Sequence, residues 1–167
     1  WAAAAVSGPK SRQVIQNCLE DPSLIENENL PFMGFISTKL KGGIPCRIVR
    51  ISFSGELGYE VYIVSDYANT MMDLLWQQVQ NFDGCLYGLE ALGALRVEKG
   101  HVTGAELDGR VTIDDAGLEK MASTKKSYIG NAMRNRGVLK LEDREQLVGF
   151  FPVNKNQTFD AGTIVCE

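Results

Sequence analysis

Two strand-like segments joined by a short, glycine-containing loop constrain the fold more than any other feature of the sequence. Residues 46–53 and 59–64 are rich in β-branched and aromatic side chains, and residues 54–58 lie between them. A parallel pair of strands needs a connection of about a dozen residues or more, whereas a short turn suffices for an antiparallel pair. The sequence therefore predicts an antiparallel hairpin, with residues 32–40 as a third strand.

Helical patterns flank these strands on both sides. Residues 1–6 predict a short strand, and Pro9 then occupies the first turn of a helix, where its missing N–H costs nothing. The apolar side of that helix consists of Val14, Ile15, Cys18 and Leu19. Two further helices are predicted, one that begins at Ser65 and one over residues 88–99. This order of elements predicts an α+β fold with mainly antiparallel sheets and packed helices.

The last part of the chain has a different pattern. Strand-like sequence resumes at Gln146 and continues to residues 163–166. We therefore expect two domains, residues 1–137 and residues 138–167. Because the chain starts at Trp1 and ends inside a strand-like run, we interpret it as a piece of a longer polypeptide in which the second domain is truncated.

The composition excludes several classes of protein. The chain has 167 residues, 44% hydrophobic and 23% charged, which is typical of a globular protein rather than a disordered or fibrous one. Its net charge of −4 lacks the excess of positive charge that is typical of proteins that bind nucleic acid or an anionic membrane. No apolar run approaches the ~18–20 residues of a membrane-spanning helix. We therefore expect neither nucleic acid nor a membrane among its partners.

The cysteines and the histidine predict no metal site. Cys18, Cys46, Cys85 and Cys166 include no C-x-x-C pair, and His101 is the only histidine. Structural zinc sites need closely spaced pairs of such ligands. The spacing leaves disulfides open, although a core of this size does not need them. We interpret the cysteines as small, buried thiols in a reducing compartment, which predicts the cytoplasm.

Glu60 is the residue that the pattern alone singles out. It lies inside the most strand-like segment, where acidic residues are disfavoured, and period-two alternation places it on the same face as Tyr62. The opposite face carries Tyr59, Val61 and Ile63. A carboxylate at such a position can accept two parallel N–H donors from a planar ligand. The alternative is a solvated glutamate on the open face of an antiparallel sheet.

The other polar candidates have structural interpretations. The pair Asp114-Asp115 follows Thr112, which is typical of a helix N-terminus or a turn. His101 is interpreted as a helix-terminus residue, and Lys125-Lys126 as a solvated turn. No serine or cysteine lies in a G-x-S-x-G elbow, and the glycines fit neither a dinucleotide fingerprint nor a P-loop. The pattern therefore gives no support to a hydrolase triad or a nucleotide-binding loop.

Five stretches together resemble a known family. They are residues 4–10 (AAVSGPK), 53–60 (FSGELGYE), 87–101 (YGLEALGALRVEKGH), 106–110 (ELDGR) and 125–130 (KKSYIG). In this order they are similar to the glycine-cleavage T-protein (aminomethyltransferase) superfamily. Within it, the chain most resembles the folate-dependent C-terminal region of the sarcosine oxidase alpha-subunit branch. The resemblance covers residues 1–151 and is expected to reach the end of the chain.

The resemblance implies a fold and a ligand site. Members of this superfamily are three-domain, cloverleaf-like molecules with tetrahydrofolate in a central hole, and residues 146–167 resemble the start of their C-terminal β-barrel. The glutamate that ends the Gly-Tyr-Glu motif, here Glu60, is expected to hold the amino group and the ring N–H of the pteridine. Phe53, seven residues earlier, is the second expected folate-binding residue, because its ring can stack or pack against the ligand.

The resemblance also implies a reaction. In the sarcosine oxidase branch a flavin oxidises sarcosine to an imine, and tetrahydrofolate captures the one-carbon unit to give methylenetetrahydrofolate and glycine. The acid–base aspartate of the family lies upstream of Trp1, so we expect no catalytic residue in this chain. FAD, FMN and NAD are expected in the rest of the enzyme, together with the other subunits of a hetero-oligomer.

Two departures from the T-protein pattern indicate the branch. Glycine-cleavage T-proteins commonly have tyrosine where this sequence has Phe53, and a folate-contacting arginine where it has Leu92. Phenylalanine cannot donate a hydrogen bond, and leucine cannot pair with a carboxylate. These departures favour the sarcosine-oxidising branch over the first alternative, an aminomethyltransferase of glycine cleavage. The second alternative is a non-catalytic folate-binding protein of the same superfamily with a regulatory or assembly role.

Overall fold

The chain forms two compact units. The structure, a computed structural model, describes residues 1–141, 143–160 and 162. The first unit comprises Trp1–His101, and the second comprises Val102–Glu167. The domain boundary predicted between residues 137 and 138 stays a prediction.

The first unit is built on a four-stranded antiparallel sheet. Its strands are β1 (Ala2–Ser7), β2 (Phe35–Leu40), β3 (Ile44–Val49) and β4 (Gly58–Ile63). Their order across the sheet is β1-β4-β3-β2, which makes β3 and β4 the central strands. The antiparallel pairing of β3 with β4 confirms the predicted hairpin, and β2 pairs with β3 as the expected third strand.

Two of these strands are shorter than predicted. β2 begins later than expected, because Met33 has a left-handed backbone with a φ of 66° that is incompatible with a strand. β3 ends at Val49, four residues before the predicted end at residue 53. The N–H of Met33 donates to the carbonyl oxygen of Arg50 at 2.9 Å, which ties the ends of the two strands together.

Three helices occupy the positions predicted for them. They are α1 (Ser11–Cys18), α2 (Ala68–Asn81) and α3 (Leu89–Lys99). A 3₁₀ turn over Ser65–Tyr67 precedes α2 and accounts for the predicted start at Ser65. Gly100 ends α3 with a φ of 74°, a left-handed conformation that glycine adopts without steric strain.

The core lies between one face of the sheet and the helices α1 and α2. The predicted apolar side of α1 is buried in full. From β4, the residues Tyr59, Val61 and Ile63 are at most 1% exposed, which confirms the predicted alternation of that strand. The burial of these residues supplies the main stabilising term of the first unit. Mixed helix and antiparallel sheet agree with the α+β prediction.

The second unit has less regular structure. It contains α4 (Asn131–Arg134) and 3₁₀ turns at Glu119–Met121 and Gly137–Leu139. The strand predicted from residue 146 is wrong for residues 146–160, which contain no strand, and Phe151 is exposed. An isolated strand has no neighbour to satisfy its backbone groups, so an apolar alternating sequence is not sufficient to form one. Residues 163–166, also predicted as strand, lie outside the described residues.

The cysteines only partly follow the prediction. Cys18 and Cys46 are buried free thiols, and burial raises the pKa of each to about 11. Cys85 is also free but exposed, so its predicted burial is wrong. It follows α2 in a segment that is neither helix nor strand. Cys166 lies outside the described residues.

Candidate functional site

The face of the sheet that turns away from the core carries the candidate site. Glu60 and Tyr62 point to this face because they alternate with the buried residues of β4. Across the sheet, Glu60 is paired with Ala5 of β1 and Val49 of β3. Both neighbours have short side chains, so they leave the half-buried Glu60 accessible from the open face.

A hydrogen bond joins the two polar residues of β4. The hydroxyl of Tyr62 donates to Oε2 of Glu60. The pKa of Tyr62 is raised, first because ionisation would lose this hydrogen bond, and then because of desolvation and the carboxylate charge. At neutral pH the tyrosine is therefore a neutral donor to the carboxylate.

A cation and an aromatic ring lie beside this pair. Arg47 of β3 is the direct cross-strand partner of Tyr62. Its guanidinium carbon lies 4.6 Å from the centroid of the Trp1 ring, in a cation–π contact. The sequence analysis did not identify Arg47 or Trp1 as site residues. Only the register of β3 against β4 brings residue 47 next to residue 62, and the sequence pattern does not fix that register.

Phe53 lies in the connection between β3 and β4. The residue is 42% exposed, and its ring packs against the ring of His101, with 4.7 Å between the centroids and an angle of 55° between the planes. Nζ of Lys99 donates to the carbonyl oxygen of Ser52 at 3.1 Å. The end of α3 thus holds this connection in place. His101 is a helix-terminus residue as predicted, and it also supports the ring of Phe53.

Gly58 places the start of β4 directly against the same connection. A Cβ atom at Gly58 would lie 2.7 Å from the carbonyl oxygen of Ile51, closer than real Cβ atoms come to backbone. Only glycine fits here without a shift of the chain. The structure thus explains the glycine of the Gly-Tyr-Glu motif by packing.

Glu60 and Phe53 lie on adjoining elements, and each has its own partner. Tyr62 contacts Glu60, and His101 contacts Phe53.

Leu92 lies in an apolar cavity on the core side of the sheet. The cavity has a volume of about 630 Å³ and lies between β1, α2 and the segment that leads into α3. Val6, Trp76 and Val79 contribute to its walls. Leucine suits these surroundings, where an unpaired arginine would be costly to bury.

Two aspartate–arginine pairs organise the second unit. Asp114 accepts from Nε of Arg134 at 2.8 Å and from its Nη2 at 2.6 Å, and Asp115 accepts from Nε of Arg144 at 2.9 Å. Asp115 also accepts from the N–H of Thr112 at 2.7 Å. These bonds lower the pKa of both carboxyl groups. The predicted turn at these residues is confirmed, and both carboxylates are occupied by structural partners.

We expect Asp115→Asn to destabilise the second unit at neutral pH, and to destabilise it less at pH 3. The pKa of this 2%-exposed carboxyl is lowered in the folded state, so its stabilising effect is fully present above the unfolded value of about 3.9. The effect is lost as the pH falls towards the folded pKa. Urea titrations followed by the amide NMR signal of Ala116, at pH 7 and pH 3, measure this difference.

The exposed Asp73 provides the matched control, because Asp73→Asn removes the same charge elsewhere. An Asp115→Asn midpoint that stays as far below the wild-type midpoint at pH 3 as at pH 7 would contradict this role of the ion pair.

Lys125 and Lys126 are exposed in bends, as predicted.

Two general properties of the described residues bear on function. Within residues 1–141, 143–160 and 162, no group of three or more His, Cys, Asp and Glu side chains is arranged to hold a metal ion. None of the helices in that part of the chain is both long and apolar enough to cross a membrane.

Comparison with known proteins shows the family. The chain matches the GCVT N-terminal domain over residues 1–126 and belongs to that family. It is 38% identical over 165 residues to the sarcosine oxidase subunit alpha of Rhizobium meliloti (strain 1021). It is also 38% identical over 154 residues to the subunit of the same name from Corynebacterium sp. (strain P-1). An aminomethyltransferase from Halothermothrix orenii is 32% identical over 155 residues.

The shares of chain covered by these matches are unequal. The Rhizobium match includes 98% of this chain but 16% of the relative, and the Corynebacterium match includes 92% and 16%. For the aminomethyltransferase the shares are 90% and 41%. The resemblance to the sarcosine oxidase alpha subunit is therefore confirmed, and this chain spans about one sixth of the length of those subunits.

Proposed function

We propose that this chain provides a tetrahydrofolate-binding part of a sarcosine oxidase-type enzyme. The observation that carries the proposal is the carboxylate of Glu60, which is half-buried on the open sheet face and held by a neutral donor. The 2-amino-pyrimidinone edge of a pteridine offers an amine and a ring N–H side by side. A carboxylate can accept both, and charge-assisted hydrogen bonds of this kind are the strong ones.

The aromatic part of the proposed site is Phe53. The residue is partly exposed, and the ring of His101 packs against its ring. A flat, partly apolar ligand can stack on such a ring. Glu60 would then fix the polar edge of the pteridine, and Phe53 would contact its face or the adjoining part of the ligand.

We further propose the reaction in which this site takes part. When bound, tetrahydrofolate supplies the acceptor for a one-carbon unit released from oxidised sarcosine. The described residues would bind and orient it, and the acid–base aspartate would come from outside this chain. FAD, FMN, NAD and partner subunits belong to this proposal for the longer cytoplasmic enzyme. A three-domain cloverleaf is part of the same proposal.

The surroundings of Leu92 support this function over glycine cleavage. The residue lies among apolar walls of the cavity, where it offers no charge to the carboxylates of a folate tail. The sarcosine oxidase relatives are also 38% identical to this chain, against 32% for the aminomethyltransferase.

The direct test is a calorimetric titration of the 167-residue chain with 5-formyltetrahydrofolate. We expect saturable binding with one site per chain, because one carboxylate is presented to the ligand. N-(4-aminobenzoyl)-glutamate, which has the tail but lacks the pteridine, is the control ligand and should bind much more weakly. Equal affinities for the two compounds, or no saturable binding of the first, would contradict the proposal.

A further inference from the structure

We infer that Tyr62 is a positioning residue, whose hydroxyl holds the Glu60 carboxylate in the orientation that meets the paired donors of a pteridine. This inference rests on the proposed folate site. Tyr62 lies outside the Gly-Tyr-Glu motif, and its role emerges from its contact with Glu60.

The strand geometry allows Tyr62 to act on Glu60. The two residues are two positions apart on β4, so their side chains stand next to each other on one face. A half-exposed glutamate has several rotatable bonds and would lose conformational freedom when a ligand binds. Among the described residues, the Tyr62 hydroxyl is the hydrogen-bond partner of this side chain. The bond therefore restricts the carboxylate before the ligand arrives, which reduces the cost of binding.

The contact leaves the carboxylate able to bind the ligand. An ionised carboxylate has two oxygens with about four lone-pair sites in total. Tyr62 uses one site on Oε2, so Oε1 and the second site on Oε2 are left for two N–H donors. The hydroxyl thus restricts the rotation of the carboxylate without filling the places that a pteridine edge needs.

A neutral donor also suits this position better than a cation. Arg47, directly across from Tyr62, places its guanidinium over the Trp1 ring. A guanidinium bonded to Glu60 would cancel the charge that strengthens hydrogen bonds to the ligand. Tyr62 holds the carboxylate while the full negative charge stays available. The other cation on this face, Lys39, lies on the edge strand β2, beyond β3.

A double-mutant cycle tests this role. We expect Tyr62→Phe to weaken binding of 5-formyltetrahydrofolate about threefold to tenfold, the net contribution of a typical intramolecular hydrogen bond. In the Glu60→Gln background, the same substitution should change the affinity by less than about twofold, because the carboxylate is already gone. Binding of N-(4-aminobenzoyl)-glutamate should be the same in wild type and Tyr62→Phe. A merely structural effect would instead weaken binding equally in both backgrounds, and that result would overturn the inference.

A spectrophotometric titration of the tyrosines tests the contact without a ligand. In wild type, one tyrosine should ionise above the ordinary pKa of about 10, and Tyr62→Phe should remove it. Glu60→Gln should return it towards the ordinary range. If Glu60→Gln leaves the tyrosine titration unchanged, the hydrogen bond between Tyr62 and Glu60 is not formed, and the inference is overturned whatever the result of the folate titration. If the titration behaves as expected but wild type does not bind the folate, the proposed function fails and the positioning role fails with it.

Discussion

Ile48→Ala is expected to lower the free energy of unfolding of the first unit by about 3–4 kcal/mol, within the range for truncating a fully buried isoleucine. Ile48 is 0% exposed and lies on the central strand β3 between Ile36 of β2 and Val61 of β4. The loss combines the transfer energy of the deleted groups with the cavity left between sheet and helices. Urea unfolding followed by tryptophan fluorescence measures it, since both tryptophans, Trp1 and Trp76, belong to the first unit.

Two controls separate the cavity from general effects of substitution in the sheet. Ile48→Val removes one methylene and should cost only about 1 kcal/mol. Ser37→Ala, on the exposed face of β2, should stay within about 0.5 kcal/mol of wild type. If Ile48→Ala were no more destabilising than Ser37→Ala, the assignment of β3 to the core would be wrong.

The sequence was sufficient to predict the features that depend on local periodicity. The alternation in β4 identified the buried face, and with it the face that carries Glu60. The apolar side of α1 and the glycine that ends α3 were predicted from the sequence in the same way. These features follow from the repeats of strand and helix, which the chain displays over short distances.

Contacts between distant residues were not predictable in the same way. Arg47 reaches Trp1 only through the pairing of three strands, and Asp115 is 29 positions from its partner Arg144. The periodic patterns of a single sequence extend only over short stretches, so they give no signal for either of these long-range contacts. The strand predicted over residues 146–160 failed for a related reason, since alternation shows that a segment could pair but not that a partner strand is present. The folate role of Glu60 came from the family resemblance, because the pattern alone allowed a solvated glutamate.

Glu60→Gln is expected to weaken binding of 5-formyltetrahydrofolate by about 1.5–3 kcal/mol, the range for a hydrogen bond to a charged group. This corresponds to a loss of affinity of roughly 10- to 150-fold. The substitution keeps the size of the side chain but removes its charge and replaces one acceptor oxygen with an NH₂ donor. That donor would oppose the amine or ring N–H of the pteridine. Calorimetric titration of the variant beside wild type measures the change.

The interpretation of this result depends on matched controls. Glu28→Gln removes the same charge from an exposed loop residue and should leave folate affinity unchanged, which separates a local contact from the effect of net charge. Glu60 is on the face opposite the core, so its substitution should also leave the urea midpoint of the first unit close to that of wild type. A loss of affinity without a loss of stability would then place the pteridine at Glu60. Equal affinities for wild type and Glu60→Gln would remove this residue from the site and leave it as a solvated glutamate on an open sheet, the alternative that the sequence pattern allowed.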